Sequence, residues 1–193
     1  MRKVLVSEFI TLDGVVEDPG GAEKTPHGGW TWPYWNDEIG QLKQDELFAG
    51  DALLLGRVTY QGFAAAWPSA TDEYGFADRM NSLPKYVATT TLDTLDWNNS
   101  TALTGDVAEA VAALKQQPGG DILVFGSGGL IQTLMRHNLV DEYCLLVYPV
   151  VIGGGKRLFA DGIPSKLKLV ESRPFSSGVV MLRYQMEPAS EGK

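Results

Sequence analysis

Asp121-Ile122-Leu123-Val124-Phe125-Gly126-Ser127-Gly128-Gly129-Leu130-Ile131-Gln132-Thr133-Leu134-Met135-Arg136-His137-Asn138 is the stretch around which the chain is organised. Ile122 to Phe125 form a short continuous apolar run, the pattern of a strand buried on both faces. The chain then turns on Gly126, Gly128 and Gly129 and enters a helical pattern. Leu130, Ile131, Leu134 and Met135 share one face, with Arg136 and His137 in the last turn. Ser127 stands at the N-cap position. A strand that delivers a side-chain-free turn into a helix N-terminus leaves backbone N–H groups unpaired, and these favour a phosphate. A tight turn with no ligand fits this stretch equally well.

Two familiar phosphate loops can be tested directly. A dinucleotide fingerprint requires a third glycine where Ile131 stands, and it sits in the first strand–helix unit. The lateness of this loop therefore argues against an ordinary Rossmann fold. A P-loop ending at Gly155-Lys156 requires glycine at Val150 and a hydroxyl at Arg157, and both are wrong. What remains is a third kind of nucleotide-binding sheet, or no nucleotide.

The chain has 193 residues and a formal net charge of −8. That length is most simply one domain with a real core, placed here at residues 1–186 with a polar tail at 187–193. The negative balance argues against nucleic acid or an anionic membrane as the main partner. Cys144 is the only cysteine; its place in an alternating apolar run marks it as a buried structural thiol. His27 and His137 are too few and too far apart to argue for a metal site. No signal-peptide pattern precedes the first strand and no apolar run approaches a membrane span, so the expected location is the cytoplasm.

Read from the N-terminus, Lys3 to Ile10 is a strand ended by Thr11-Leu12-Asp13-Gly14. Val15 to Trp35 has no helical or strand period and is broken by glycines and prolines, with Trp30, Trp32, Tyr34 and Trp35 among them. An irregular segment longer than about 12–15 residues in a compact domain is usually a functional loop or lid. Its rings suit stacking on a planar ligand or plugging the protein's own core. Asn36 caps a helix to Ala49, with Asp37 and Glu38 in its first turn. Asp51 to Leu55 is a strand that runs into Gly56-Arg57-Val58-Thr59-Tyr60 and a helix to Ala66. Here a glycine, a cation and a hydroxyl make a second candidate phosphate site. Asp72 to Asn81 reads as a short helix and Lys85 to Ala88 as a strand, with Thr89, Thr90 and Thr91 at its end. A turn and short strand span Asp93 to Leu103. Asp106 and Glu109 have capping-box spacing ahead of a helix to Gln116. Val140 to Val147 is a strand, and Leu167–Ser172 with Val179–Met186 forms a closing hairpin. This order predicts a mostly parallel sheet covered on both faces with an antiparallel edge, its glycine loops gathered along one rim.

Four stretches occur in matching order: Thr11-Leu12-Asp13-Gly14-Val15, Leu55-Gly56-Arg57-Val58-Thr59-Tyr60, Phe125-Gly126-Ser127-Gly128-Gly129-Leu130 and Pro149 to Phe159. Together they resemble the dihydrofolate reductase-like superfamily, more narrowly the reductase domain at the C-terminus of the bifunctional riboflavin-biosynthesis deaminase-reductase and its stand-alone relatives. The resemblance spans nearly the whole chain and implies a three-layer α/β/α fold. It also implies a nicotinamide cofactor, NADPH with NADH not excluded, laid across the strand ends beside a pyrimidine- or pteridine-like substrate.

By position, Gly126, Ser127, Gly128, Gly129 and Leu130 would hold the pyrophosphate, with Gly56, Arg57 and Thr59 on the adenosine side. Thr89 and Thr90 match the 2′-phosphate position, where relatives carry a basic residue that this chain lacks. Gly14, Trp30, Trp32, Tyr148, Gly153 and Gly154 fall on the substrate side. Asp13, at the mouth of the loop, and Asp37 are the candidate proton donors, with Glu38 and Asp45 nearby on the same helix. The expected chemistry is hydride transfer, with substrates of the 5-amino-6-(5-phosphoribosylamino)uracil or dihydrofolate type. No deaminase half is expected in this sequence, since its zinc motif needs more cysteines than the one present.

A competing reading is a non-catalytic binder of flavins, folates or drugs with a vestigial nucleotide site, favoured by the missing cation near Thr90. A homodimer is expected, from the resemblance and from the apolar run Val179-Val180-Met181-Leu182, costly on an exposed edge.

Overall fold

The computed structural model describes residues 1–159 and 161–187, so most of the 187–193 tail lies outside the described residues. The described chain runs β1 (Val4–Thr11), α1 (Asp37–Ala49), β2 (Ala52–Gly56), α2 (Arg57–Ala66), α3 (Phe76–Ser82), β3 (Lys85–Ala88), β4 (Ser100–Leu103), α4 (Val107–Gln116), β5 (Ile122–Phe125), α5 (Gly128–Arg136), β6 (Glu142–Tyr148), β7 (Leu167–Pro174) and β8 (Val180–Met186). One eight-stranded sheet has the order β4-β3-β2-β5-β1-β6-β8-β7. Strands β4 to β6 of that order pair in parallel, while β8 joins β6 and β7 antiparallel. This is the mixed α/β sheet with an antiparallel C-terminal hairpin that the sequence predicts.

Alternation along the strands divides the core. Val4, Val6, Leu54, Ile122 and Val124 pack with Val111 and Leu114 of α4 and Leu130, Ile131, Leu134 and Met135 of α5. Leu5, Leu53, Leu55, Leu123 and Phe125 pack with Leu47 of α1, Tyr60 of α2 and Met80 of α3. Each such side chain stabilises the fold by about 1.5–3 kcal/mol relative to exposure. Caps set the helix starts: Asn36 accepts from the Ile39 N–H and Asp106 from the Glu109 N–H.

Three local expectations change. Helix α3 begins at Phe76 rather than Asp72, because the Asp72 carboxylate collects the Tyr74, Phe76 and Ala77 amides and holds a turn before the helix. Ser127 occupies the cap position of α5 in a left-handed conformation (φ 66°) without capping it. The run Val179–Leu182 does not lie on an edge. Strand β8 sits between β6 and β7, with Val179 and Met181 fully buried, so the edge argument for a dimer loses its basis. The edge strand is β7, where Leu169 and Val170 are about half exposed.

Candidate functional site

The parallel register brings the carboxyl ends of β1, β2, β3, β5 and β6 to one rim: Ser7 lies opposite Phe125, Thr11 opposite Tyr148 and Gly56 opposite Ala88. Two helices, α2 and α5, start at adjacent strand ends on this rim. Ser127 stitches them together. Its Oγ accepts the Gly56 N–H at 2.8 Å, and its own N–H donates to Thr59 Oγ1 at 2.9 Å. Gly126 precedes it at φ 57°, and a Cβ there would stand 3.0 Å from Thr59 Oγ1. Glycine at 126 therefore satisfies both a left-handed turn and a close approach.

The stitch decides which amides remain. Ser127 O accepts the Ile131 N–H, closing the first turn of α5. The Ser127 N–H is held by Thr59, leaving the Gly128, Gly129 and Leu130 amides as the unpaired donors of the helix start. Around a Cβ placed at Gly129 there is open space to 4 Å. Two helix N-termini thus present positive dipole ends to one rim. Arg57, exposed at the start of α2, donates to Gln61 Oε1 at 3.1 Å. Thr89 Oγ1 accepts the Thr91 and Leu92 amides, and Thr90 is exposed.

On the other side of the rim, the aromatic segment is fastened rather than free. Asp18, 2% exposed, accepts the Glu23 and Thr25 amides and the Thr25 hydroxyl. Burial pushes its carboxyl up, and these hydrogen bonds more than offset it, leaving it below its ordinary range. Trp30 and Tyr148, expected on the substrate side, are both buried and meet edge-to-face at 5.3 Å. They plug the core. The exposed rings are Trp32 and Trp35, 6.3 Å apart, with half-buried Phe9 edge-on to Trp35 at 6.0 Å. Trp35 belongs to the aromatic segment read from the sequence, whereas Phe9 was not singled out, because alternation alone does not tell which β1 residue ends at the rim.

Asp13 links two loops. Its carboxylate accepts from the Thr11 hydroxyl, the Ile152 N–H and the Gly153 N–H. The Thr11 hydroxyl first, with the Gly153 amide, lowers it to about 2. Gly14 follows at φ 84° and its carbonyl accepts the Leu158 N–H. Gly154 and Gly155 line a groove of about 220 Å³ with Val15, Glu17, Thr25, Pro26, His27 and Ile152. Asp37 and Asp45 are exposed on α1. Glu38 accepts from the Ser176 amide and hydroxyl, the hydroxyl first, which holds it below its ordinary range. The rim therefore gathers the cofactor-side glycines, while Asp37 and Asp45 face solvent and Glu38 is tied to Ser176.

Sequence reading missed a buried polar cluster on the α1 face of the sheet. Lys43 Nζ donates to Ser7 Oγ at 2.6 Å and to Glu46 Oε2 at 2.8 Å, and the Ser7 hydroxyl donates to Glu46 Oε2 at 2.7 Å. Nζ lies 4.1 Å from the Phe125 ring centroid and 5.4 Å from that of Phe9. Burial raises the Glu46 carboxyl, but Lys43 and the hydrogen bonds from Cys144, Lys43 and Ser7 hold it below its usual range. Burial, with Glu46, pushes the Cys144 thiol up, consistent with a structural thiol. The available signal was two charges, Lys43 and Glu46, on the same face of α1 as Ile39, Leu42 and Leu47.

The model of the RibD C-terminal domain family matches residues 2–181. The chain belongs to this family. It is similar to the uncharacterized protein YyaP of Bacillus subtilis (strain 168), 33% identical over 187 residues, which are 95% of this chain and 94% of YyaP. A solved structure of a protein from Shewanella sp. PV-4, described under riboflavin biosynthesis, superposes with a TM-score of 0.68 at 18% identity, covering 96% of this chain and 99% of that one. A pyrimidine reductase-like protein of Corynebacterium diphtheriae gives 0.64 at 13% identity, covering 97% and 93%. At those identities the two structures bear on the fold, and they agree with a dihydrofolate reductase-like architecture. For this RibD C-terminal domain, no described helix is long and apolar enough to cross a membrane, and no metal-binding cluster occurs among the described residues.

Proposed function

We propose that this RibD C-terminal domain is an NADPH-dependent reductase, with NADH as the other donor to test, acting on a pyrimidine- or pteridine-like small molecule. The observation that carries the reading is the Ser127 stitch, which leaves the Gly128, Gly129 and Leu130 amides at the rim between two helix N-termini. Those amides and the bare Cα of Gly129 fit a pyrophosphate. Arg57 supplies a cation toward the adenosine side, and the hydroxyls of Thr89 and Thr90 reach a ribose or its phosphate without adding charge.

Bound there, the nicotinamide supplies the hydride. The chain's own part is to orient and desolvate the reactants. Phe9 and Trp35 offer an aromatic wall for a flat substrate ring. The Lys43 ammonium, beneath Phe9 and Phe125, favours negative charge that develops on the substrate as hydride arrives. Asp13 enters this reading as the clasp between the β1 and β6 loops, because a carboxyl at about 2 holds no proton to give near neutrality. Asp37 is solvated at a helix start, where its charge suits the dipole.

Titrating the purified protein with NADPH and NADH, followed by tryptophan quenching, tests the reading. Saturable quenching supports it, and no response to either removes it. The non-catalytic alternative predicts binding of flavins or folates with no substrate-dependent NADPH oxidation.

A further inference from the structure

Glu8 is a carboxyl in the middle of the sheet. It lies on β1 next to Ser7, which pairs with Phe125, so the following residues Glu8 and Gly126 stand side by side at the end of β5. Alternation turns Glu8 away from Ser7 and Phe9 and toward the face covered by α5, the face of Val6, Ile10 and Leu130. Glu8 is 4% exposed, and its Oε1 has no hydrogen-bond partner. The neighbouring Gly126 amide favours its charged form, though less than burial opposes it. Val16 Cγ2 lies 3.5 Å from the Cβ position of Gly128, closing the turn over this region. The acid thus sits beneath the turn from which the Gly128–Leu130 amides emerge.

The charged surroundings are sparse. Lys43 is the cation that bears on Glu8, and it lies against Ser7 and Phe125 on the opposite face. Strand β5 carries no ionisable side chain, and α5 carries none before Arg136 in its last turn. On β6 the residue opposite Glu8 is Leu145, and Tyr143 on the same face is a phenol pushed up by burial. Glu17, beyond Val16, pairs with Lys156. Burial raises Glu8 to about 8, so it is mostly neutral at pH 7.

A neutral carboxyl and an anion can share this place; two anions in a dry site repel. We propose that Glu8 is a positioning residue of the glycine turn, neutral whenever an anion is held there, so that binding of a phosphate-bearing nucleotide is coupled to uptake of a proton at its carboxyl. This rests on the reading of the turn as a phosphate site. No bond is made or broken; the proton comes from solvent and returns when the nucleotide leaves.

The experiment is calorimetric titration of the whole chain with NADPH from pH 6.5 to 9.5, in pairs of buffers of different ionisation enthalpy. NADPH is a suitable probe because its pyrophosphate does not titrate in this range and its 2′-phosphate, with a second pKa of about 6, is almost fully ionised above pH 7, where the comparison is made. The wild type is expected to bind about tenfold more weakly at pH 9 than at pH 7. Above pH 8 it should take up most of one proton per nucleotide. Glu8→Gln, close in shape and always neutral, should bind with a flat profile and no proton uptake. A wild-type affinity that is flat across the range overturns the proposal without any variant. So does a Glu8→Gln protein with the wild-type slope. If the wild type binds no nucleotide at any pH, the phosphate reading itself falls and the coupling falls with it.

Discussion

Ser127 Oγ accepts the Gly56 N–H at 2.8 Å, joining the starts of α2 and α5 across the rim. Ser127→Ala removes that acceptor and leaves the Gly56 amide part-buried without its partner. It should cost about 1–2 kcal/mol, read as a lower urea midpoint at unchanged slope. Thr59→Val withdraws the acceptor of the Ser127 N–H and should cost a similar amount. Because both variants loosen one junction, the double variant should lose less than the sum of the two.

Lys43 and Glu46 form a buried pair with Ser7. Lys43→Met leaves the Glu46 carboxylate uncompensated and should destabilise by about 3–5 kcal/mol. Lys43→Met combined with Glu46→Leu should recover a large part of that loss, since no charge then remains buried there. Thermal and urea unfolding of the two singles and the double check both statements.

How much of this was legible in the sequence depends on the range of the interaction. The glycine bends at Gly56 and Gly126 announced themselves, because a strand's apolar run stops and a helical period starts beside each. That both open on one rim followed from the alternation of strand and helix. The Ser127 stitch did not, because its partners lie on another strand–helix unit and local spacing reads the residue as a cap. Trp30 was misplaced for a related reason: an aromatic residue in an irregular segment serves a ligand or the core equally well until the path of the loop is known. Tyr148, at the end of β6, is buried by that same loop through Trp30. The Asp18 hydrogen bonds that set this path are local, but they need a left-handed backbone (φ 50°) that sequence does not declare. Val179–Leu182 shows the same limit, since chain order makes a closing hairpin terminal while the sheet places β8 inside.

Glu8 gives a pH dependence of stability with a definite sign. Its folded value, about 8, lies above its unfolded value, about 4.5. The folded chain therefore binds more protons between them. Stability from this group is fully present below about pH 4.5 and is lost as pH rises through about 8. Glu8→Gln removes the loss, so its melting temperature relative to wild type should be higher at pH 9 than at pH 5. An equal difference at both pH values would show that ionisation of Glu8 does not oppose folding.

Asp13 has the opposite sign. Its folded value, about 2, lies below its unfolded value of 3.8, so its contribution is present above about pH 4 and lost as pH falls through 2. Asp13→Asn should speed hydrogen exchange at the Gly153 and Ile152 amides at pH 7, where the carboxylate now accepts them. Unchanged protection would mean that these loops are held elsewhere.

Gly129 offers the most direct test of the rim as a phosphate site. A side chain there meets open space, and a carboxylate in the first turn of α5 suits the helix dipole, so Gly129→Asp should fold and melt at or above the wild-type temperature. The decisive measurement is NADPH titration of this variant beside wild type at pH 7. The account predicts saturable binding by wild type and a loss of more than about tenfold in the folded variant, where the new carboxylate opposes the pyrophosphate. A folded Gly129→Asp protein that binds NADPH as tightly as wild type would contradict it.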